Sequence, residues 1–363
     1  MKIRKSGLIR IAAISFLLAI FWSPFAFAQP QITGFSGSLT NGGTLTITGR
    51  GFGTKAAAKP FKSDSFEDGK VGDYISKGGW VNYSGTEVGP LYSDTRAHTG
   101  KQSAIREILN TGGDWNSAGL HGLQTEELYY SVWFFWKKLS GEYDASSYPN
   151  VKIIRVNSGP NFYSGIGSPG FYITEQPKFP WTIAGMNNNG GTFQDEQHIL
   201  DPLESQWNRI ELHIKLSNPA GSTNGIARVW MNGVLTYNHK TGITRTTSEA
   251  GILLDNFLIP AMTDSGQQTM SYSTDDVYVD TTQSRVEICT SATWNACTVN
   301  KDAQVASSWN DTSITVTVRR DAFSSGQTLY LYVIDADGNV NPNGYLLSSG
   351  DTLAPAAPTN LSV

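Results

Sequence analysis

Two neighbouring stretches of sequence decide the fold: residues 207–216 read WNRIELHIKL, and residues 225–233 read GIARVWMNG. In the first stretch, Ile210, Leu212 and Ile214 alternate with polar residues, which is the period of a β-strand with one buried face. The second stretch ends in Asn-Gly, a dipeptide that strongly favours a tight turn between two strands. The two stretches therefore predict adjacent antiparallel strands of one sheet.

Period-2 alternation recurs through much of the region 61–282, at segments 129–136, 151–156, 171–174 and 227–231. No segment shows a sustained helical period with capping residues at its ends, so helices are expected to be minor. The sequence therefore predicts an all-β fold.

The pattern of residues 207–233 resembles the core motif of concanavalin A-like jelly rolls, a class that includes laminin-G-like lectin modules and several polysaccharide lyases. This resemblance implies that region 61–282 forms a jelly-roll sandwich of two sheets. It also implies that the ligand is a carbohydrate.

The segments on either side of this region resemble the two halves of an IPT/TIG domain, which is an immunoglobulin-like β-sandwich. Residues 44–53 read TLTITGRGFG, and residues 309–318 read WNDTSITVTV. Residues 31–60 and 283–350 together have the length of one such sandwich, which is about 100 residues. We therefore predict a split immunoglobulin-like domain that carries the jelly roll as an insertion. Two separate, incomplete β modules are the alternative.

The first 28 residues are typical of a secretory signal peptide. Basic residues precede an apolar stretch at 11–22, and the sequence AFA at 26–28 offers a cleavage site after Ala28. The apolar stretch is shorter than the roughly 20 residues that span a bilayer, and Pro24 interrupts it. We expect a secreted or cell-surface protein without a membrane span after cleavage, and an uncleaved membrane anchor is the alternative.

The other end of the chain, residues 351–363, begins as a Pro/Ala linker. Its last residues look like the first strand of a fibronectin type III domain.

Charge is scarce, because only 16% of the residues are charged, and its balance is acidic. The formal net charge of −4 becomes −8 once the four basic residues of the signal peptide are removed. An acidic chain is a poor non-specific ligand for nucleic acid or for an anionic membrane surface. Nucleic acid is therefore not an expected partner.

The two cysteines, Cys289 and Cys297, lie close together in the sequence. In an exported protein, such a pair predicts one disulfide that closes a short loop.

The polar residues of strand 207–216, among them Arg209, Glu211 and His213, share one face of that strand. Such a stripe can line a sugar-binding groove. It can equally be a solvated outer face with ion pairs between strands.

A second group of candidates lies between residues 158 and 195, where Gly, Pro and Asn predict loops. Aromatic rings can stack on the apolar faces of sugars, and amides can hydrogen-bond sugar hydroxyls. Ordinary core packing is the alternative for the rings. The predicted ligand-binding residues are Tyr163, Tyr172, Trp181, Asn188 and, from the strand, Glu211.

The resemblance to jelly-roll lyases implies a Tyr or His as base and an Arg that neutralises the substrate carboxylate. His213 would then be the base, with Arg155 or Arg209 as the neutralising residue. Residues 103–108 and 197–199 depart from alginate-lyase patterns, because a second Arg is absent and His198 follows Gln directly. Whether the chain is an enzyme stays open, with non-catalytic binding favoured.

Asp275 and Asp276 are adjacent acidic residues that could support a structural calcium ion, and no other cofactor is expected. We expect a secreted or cell-surface polysaccharide-binding protein without catalysis. The alternatives are a lyase that acts by β-elimination on uronate-containing glycans, and a structural or adhesive surface protein.

Overall fold

The computed structural model describes residues 29–82, 89–108, 117–140, 151–158, 170–175, 182–186, 197–259, 262–263 and 269–347. Within these ranges the regular structure is β-strand, apart from three single 3₁₀ turns at Lys77–Gly79, Thr247–Glu249 and Trp294–Ala296. The all-β prediction is therefore confirmed. The predicted signal peptide and the C-terminal tail lie outside the described residues. In the described part of the chain, no helix is long and apolar enough to cross a membrane.

The first sheet is built from two segments of the chain, one before and one after the region 61–282. Its seven strands are β1 (Gln31–Gly37), β2 (Thr44–Arg50), β19 (Arg285–Cys289), β20 (Lys301–Asn310), β21 (Ser313–Thr317), β22 (Leu329–Ile334) and β23 (Tyr345–Leu347). They are hydrogen-bonded in the order β1-β2-β21-β20-β19-β22-β23. We call these strands and their core the host domain.

The host domain has a hydrophobic core of its own, in which the two ends of the chain pack together. Leu45 and Ile47 of β2 are buried in one cluster with Ile314 and Val316 of β21. Ile47 lies directly opposite Ile314 in the antiparallel register. The core of the host domain therefore depends on residues from both ends of the sequence.

The second sheet lies within the segment between β2 and β19. Its strands are β4 (Val81–Asn82), β7 (Ala118–Leu120), β9 (Val151–Ser158), β10 (Gly170–Glu175), β11 (Thr182–Met186), β12 (Gln197–His198), β16 (Leu254–Ile259) and β17 (Met262–Thr263). The order is β12-β11-β10-β9-β16-β7-β4, and β17 also pairs with β9.

The third sheet comes from the same segment and contains the strands on which the fold prediction rested. Its strands are β3 (Lys62–Asp64), β5 (Leu91–Ser93), β6 (Ser103–Ile108), β8 (Glu127–Ser140), β13 (Trp207–Lys215), β14 (Gly225–Met231), β15 (Val234–Gly242) and β18 (Thr269–Asp280). The order is β15-β14-β13-β8-β18-β6-β5, and β3 also pairs with β18. We call the second and third sheets together the inserted domain.

The second and third sheets of the inserted domain pack face to face as a jelly-roll sandwich. Ile210, Leu212 and Ile214 of β13 lie in one buried cluster with Ile154 and Val156 of β9. Alternate residues of each strand therefore point into the shared core, and the intervening residues lie on the outer faces. Both outer faces carry candidate site residues.

The chain leaves the host domain after β2 and returns to it at β19, and a buried ion pair joins these two crossings. Lys55 follows β2, and Asp280 is the last residue of β18. The Lys55 Nζ is 2.5 Å from Asp280 Oδ2, and both side chains are almost fully buried. The Lys55 Nζ also lies 5.4 Å from the centroid of the Trp309 ring in the host domain. The assignment of the host domain to the IPT/TIG family stays a prediction.

Candidate functional site

The host domain covers the outer face of β13 at Arg209 and Glu211. Arg209 and Glu211 are 1% and 2% exposed. The Arg209 guanidinium donates from Nη1 and Nη2 to the two carboxylate oxygens of Glu287 in β19, at 3.0 and 3.2 Å. Both domains therefore contribute to one buried, bidentate ion pair.

Three further contacts extend this pair into a group that we call the interdomain ion cluster, formed by Arg209, Glu211, Arg285, Glu287 and Lys301. Lys301 Nζ lies 2.7 Å from Glu211 Oε1. Arg285 donates from Nε to Glu287 Oε1 at 2.5 Å, and its Nη2 lies 3.5 Å from Glu211 Oε2. The cluster therefore alternates positive and negative groups across the boundary between the two domains.

Burial and charge act in opposite directions on the carboxylates of the cluster. Burial alone raises the pKa of Glu211, but Arg209 and Lys301 outweigh it and lower the pKa to about 2. The pKa of Glu287 is also lowered, because the same two cations and Arg285 outweigh its burial. Both carboxylates are therefore ionised at neutral pH, and each depends on the cations around it.

These contacts correct the expectation of an open groove along β13. The donors of Arg209 point at Glu287, Ser131 and the Lys301 carbonyl, so this guanidinium is placed to hold the two domains together. Glu211 accepts a hydrogen bond from the Tyr129 hydroxyl at 2.8 Å inside the same interface. At Arg209 and Glu211 the polar stripe is an interface between domains, which neither interpretation of the sequence included. Further along the strand, His213 and Lys215 pair with Glu127 of the neighbouring strand, as the interpretation with ion pairs between strands expected.

His213 lies on the same strand but is enclosed in a different environment. Its Nε2 is 3.0 Å from Glu127 Oε1, and the residue is 1% exposed. Burial lowers the pKa of His213, although the hydrogen bond to Glu127 opposes the shift. His213 is in the third sheet and Arg155 is in the second, so the structure does not bring together this predicted base and neutralising residue.

Arg155 begins a row of polar residues on the outer face of the second sheet. Its neighbours Ile154 and Val156 point into the core, which puts positions 155 and 157 on the opposite face. Arg155 Nε donates to Asn157 Oδ1 at 2.9 Å, and Asn157 Nδ2 donates to Asn256 Oδ1 at 3.1 Å. We call Arg155, Asn157 and Asn256 the Arg155 row.

The Arg155 row is held rigidly by the sheet beneath it. Asn157 and Asn256 are direct partners in the register between β9 and β16. Arg155 is 6% exposed, and the two amides are nearly fully buried. A guanidinium next to two amides offers planar donors and acceptors in fixed directions, which suits recognition of hydroxyl pairs or of a carboxylate.

A His–Asp pair lies beside the Arg155 row. His121 directly follows β7, which pairs with β16, and its Nδ1 is 3.7 Å from Asp255 Oδ2. The His121 side chain is 35% exposed, so this pair is more open to solvent than the row. Sequence reasoning missed His121, Asn157 and Asn256, because single residues of these types form no motif. The available signal was the alternation along β9, which places Asn157 on the face of Arg155.

The predicted ligand-binding residues outside β13 are only partly within the described structure. The backbone of Tyr172 in β10 lies opposite Arg155 in the register between β10 and β9. Tyr163, Trp181 and Asn188 lie outside the described residues. Of this group, the structure therefore brings position 172 next to a residue of the Arg155 row.

The adjacent carboxylates of Asp275 and Asp276 are already engaged by donors from the protein. The backbone N–H groups of His98 and Thr99 donate to Asp275 Oδ2 at 2.8 and 3.1 Å. Arg319 donates to Asp276 Oδ1, which also accepts the Thr99 hydroxyl. A neighbouring guanidinium and backbone donors do not fit a calcium ligand set. Among the described residues, no group of three or more His, Cys, Asp or Glu is arranged to hold a metal ion.

Cys289 and Cys297 form a disulfide, as predicted, with their Cα atoms 6.1 Å apart. The bridge closes a loop of the host domain that contains the 3₁₀ turn Trp294–Ala296.

No protein-family model and no curated protein matches the chain. Among solved structures, the chain is similar to alginate lyase Aly36B, with 10% identity and a TM-score of 0.43 over 62% of this chain and 98% of that chain. It is also similar to the cellulose-induced protein Cip1, with 15% identity and a TM-score of 0.41 over 61% of this chain and 97% of that chain. Alginate lyase vAL-1 from Chlorella virus matches with 14% identity and a TM-score of 0.36 over 53% of this chain and 89% of that chain.

Proposed function

We propose that this chain is an exported protein that binds polysaccharide without cleaving it, on the sheet face that carries the Arg155 row. The observation that supports the proposal is the hydrogen-bonded series Arg155–Asn157–Asn256 on the outer face of a jelly-roll sheet.

A purely solvated outer face would leave such side chains in water. Here the guanidinium and both amides are 6% exposed or less, and they are linked to one another through hydrogen bonds. The hydrogen bonds satisfy these polar groups and fix their directions. A small number of precisely placed polar groups is what orients a ligand in a binding site. The row is also preorganised, so a glycan would lose little binding free energy to ordering these side chains.

Affinity electrophoresis against alginate, pectate, glucuronan and neutral glucans tests the proposal. We expect retardation by at least one polymer. Arg155→Lys should lower the affinity for that polymer about tenfold, because Lys keeps the positive charge but lacks the planar guanidinium. The matched control is Lys215→Gln, since Lys215 is exposed and lies in the other sheet of the inserted domain. Equal retardation of the Arg155→Lys variant would overturn the site, and no retardation by any polymer would favour a structural or adhesive role.

One observation favours the lyase as a second candidate. Position 172, a tyrosine, lies opposite Arg155 in the register, and His121 follows the strand that pairs with β16. In β-elimination, a base removes the proton α to the uronate carboxylate, a carbon–carbon double bond forms, and the glycosidic oxygen leaves with its electron pair. Arg155 would stabilise the carboxylate as negative charge develops.

Ultraviolet absorbance of unsaturated products, measured on the same polyuronates, separates the two candidates. An increase that is lost in both Tyr172→Phe and His121→Ala would replace the binding-only proposal with the lyase. Binding without any increase in absorbance would support the binding-only proposal.

We also propose that the chain is exported and that its signal peptide is cleaved after Ala28. N-terminal sequencing of the protein recovered outside the cell tests this, and an intact N-terminus would contradict cleavage.

A further inference from the structure

A cleft of about 360 Å³ lies at the boundary between the two domains, next to the interdomain ion cluster. One wall is the end of the β14–β15 hairpin of the inserted domain, with Trp230, Val234 and Leu235. The other wall is the disulfide loop of the host domain, with Trp294 and Asn295. The cleft belongs to the third sheet and the host domain, whereas the Arg155 row belongs to the second sheet.

The hairpin is fixed against the disulfide loop at its turn. Asn232 and Gly233 both have left-handed backbone conformations, with φ of 49° and 77°. These are the two central positions of a tight hairpin turn of the type that Asn-Gly favours. A Cβ atom added to Gly233 would lie 2.6 Å from the Thr298 Cα, so the turn and the loop are in direct contact. The geometry of the cleft therefore depends on this junction.

Trp294 is held in place from several directions and remains partly exposed. Its backbone N–H donates to the Pro342 carbonyl at 3.0 Å. The centroids of the Trp294 and Tyr332 rings are 5.2 Å apart, and Lys301 Nζ lies 4.8 Å from the centroid of the Trp294 ring. Trp230, across the cleft, is also partly exposed. The cleft thus presents two partly exposed indole rings, and the contacts of Trp294 limit the movement of its ring.

The charged residues of the cleft neutralise each other. Lys301 and Glu211 both line it, and their charged atoms are 2.7 Å apart. An ionic ligand would have to compete with this pair and with the rest of the ion cluster. Asn295, by contrast, is exposed and offers an amide to an uncharged ligand.

We propose that this interdomain cleft binds a neutral pyranose unit of a glycan. Indole rings stack on the apolar C–H face of a sugar ring, and amides hydrogen-bond its hydroxyls. The volume is at the small end of ligand pockets, which span roughly 300–1,000 Å³, so the cleft takes a short piece of glycan. This is a second site beside the polymer-binding face, and it stands or falls separately from the proposed function.

Since residues of both domains line the cleft, its ligand bridges the domain boundary. A ligand that binds only the docked arrangement stabilises that arrangement by mass action. Sugar binding in the cleft therefore raises the thermal stability of the full chain as well as changing its tryptophan emission.

The test uses the full chain and the methyl glycosides of glucose, galactose, mannose and N-acetylglucosamine as probes. We expect at least one of them to give a saturable change in tryptophan emission and a rise in melting temperature. Trp294→Ala should lower the affinity about tenfold, and Trp294→Phe should retain part of it because a smaller ring still stacks. The matched control is Phe61→Ala, since Phe61 is an exposed aromatic residue away from the cleft.

Failure of every glycoside to bind, or unchanged affinity in both Trp294 variants, would overturn the inference. Tighter binding of methyl glucuronide than of every neutral glycoside would overturn the assignment to a neutral sugar. Arg155→Lys should leave glycoside binding intact, and a loss in that variant would place the glycoside at the Arg155 row instead. If Trp294→Ala lowers the melting temperature in the absence of ligand, the affinity of Trp294→Phe decides the outcome, so that misfolding is not mistaken for loss of the site.

Discussion

Glu287 is a central residue of the interdomain ion cluster. It is fully buried in the host domain and receives Arg209 from the inserted domain and Arg285 from its own strand. Removing one partner of a buried ion pair leaves the opposite charges without compensation, which costs more than the pair itself contributes.

We expect Glu287→Gln to lower the free energy of unfolding by about 3 kcal/mol, because Arg209 and Arg285 remain buried with a neutral neighbour. Urea denaturation followed by circular dichroism measures the change. Lys215→Gln is the control, since Lys215 is half exposed and its pair with Glu127 should contribute less than about 1 kcal/mol. Equal effects of the two substitutions would show that the cluster does not stabilise the interface.

Asp302, in β20, predicts a pH dependence of stability. Burial raises its pKa to about 6, with Arg319 opposing and Asp276 adding to the shift. The folded state holds the proton of Asp302 more tightly than the unfolded chain does, so protonated Asp302 stabilises the folded protein. This stabilisation is complete below about pH 4 and is lost as the pH rises through 6. A shift of about two units corresponds to about 3 kcal/mol.

Asp302→Asn should therefore be more stable than the wild type at pH 7 and equally stable at pH 4. Urea midpoints of both proteins at each pH measure this, and comparison within one pH cancels the contributions of other groups. Asp73→Asn, at an exposed position, serves as the control for the Asp-to-Asn substitution itself. A difference between Asp302→Asn and the wild type that is the same at both pH values would contradict the prediction.

At the scale of strands and turns, the β14–β15 hairpin shows what local sequence determines. The Asn-Gly dipeptide predicted the turn, and the alternation of residues 207–216 predicted the buried face of β13. Both follow from neighbouring residues alone. The partner of the outer face could not be predicted, because Glu287 lies 78 residues beyond Arg209 and no local pattern marks it.

The Arg155 row shows the same limit. Arg155 could be selected from the sequence as a charged residue on a predicted strand. Asn256 could not, because its position opposite Asn157 arises from the pairing of β9 with β16, whose residues lie about 100 positions apart in the chain. The alternating polar pattern of a strand is the same whether its outer face meets water, a ligand or another domain.

The contact between the hairpin and the disulfide loop gives a prediction at this scale. Gly233→Ala should be clearly more destabilising than Gly251→Ala, because only at Gly233 would the new methyl group meet the backbone of Thr298. Both glycines have positive φ, so both substitutions carry a backbone cost of about 1 kcal/mol.

Unfolding free energies of the two variants, measured by urea denaturation, isolate the contribution of the contact. Equal losses would mean that the turn and the disulfide loop are not held together as described.

At the scale of the whole molecule, the Lys55–Asp280 pair joins the two crossings between the domains. Burial lowers the pKa of Lys55 and raises that of Asp280, so each group needs the other in order to stay charged. Because the two residues belong to different connections, their pair fixes both connections at one place.

We expect Lys55→Met to lower the free energy of unfolding by about 3 kcal/mol, since Asp280 would remain buried without its cation. Differential scanning calorimetry and urea denaturation measure the change. Lys59→Met, in the same connection but exposed, should change it by less than about 0.5 kcal/mol. A Lys55 variant as stable as the Lys59 variant would show that the pair does not hold the junction.

The pairing of β2 with β21 has a consequence for the order in which the chain folds. Thr46 and Thr315, which face each other across these strands, are 269 residues apart in sequence. Bringing two such positions together in an unfolded chain costs about 5 kcal/mol of loop-closure entropy. A folded inserted domain, with its two ends already fixed at Lys55 and Asp280, removes most of that loop. We therefore expect the jelly roll to fold first, after which the two halves of the host domain can associate as though they were close neighbours in sequence.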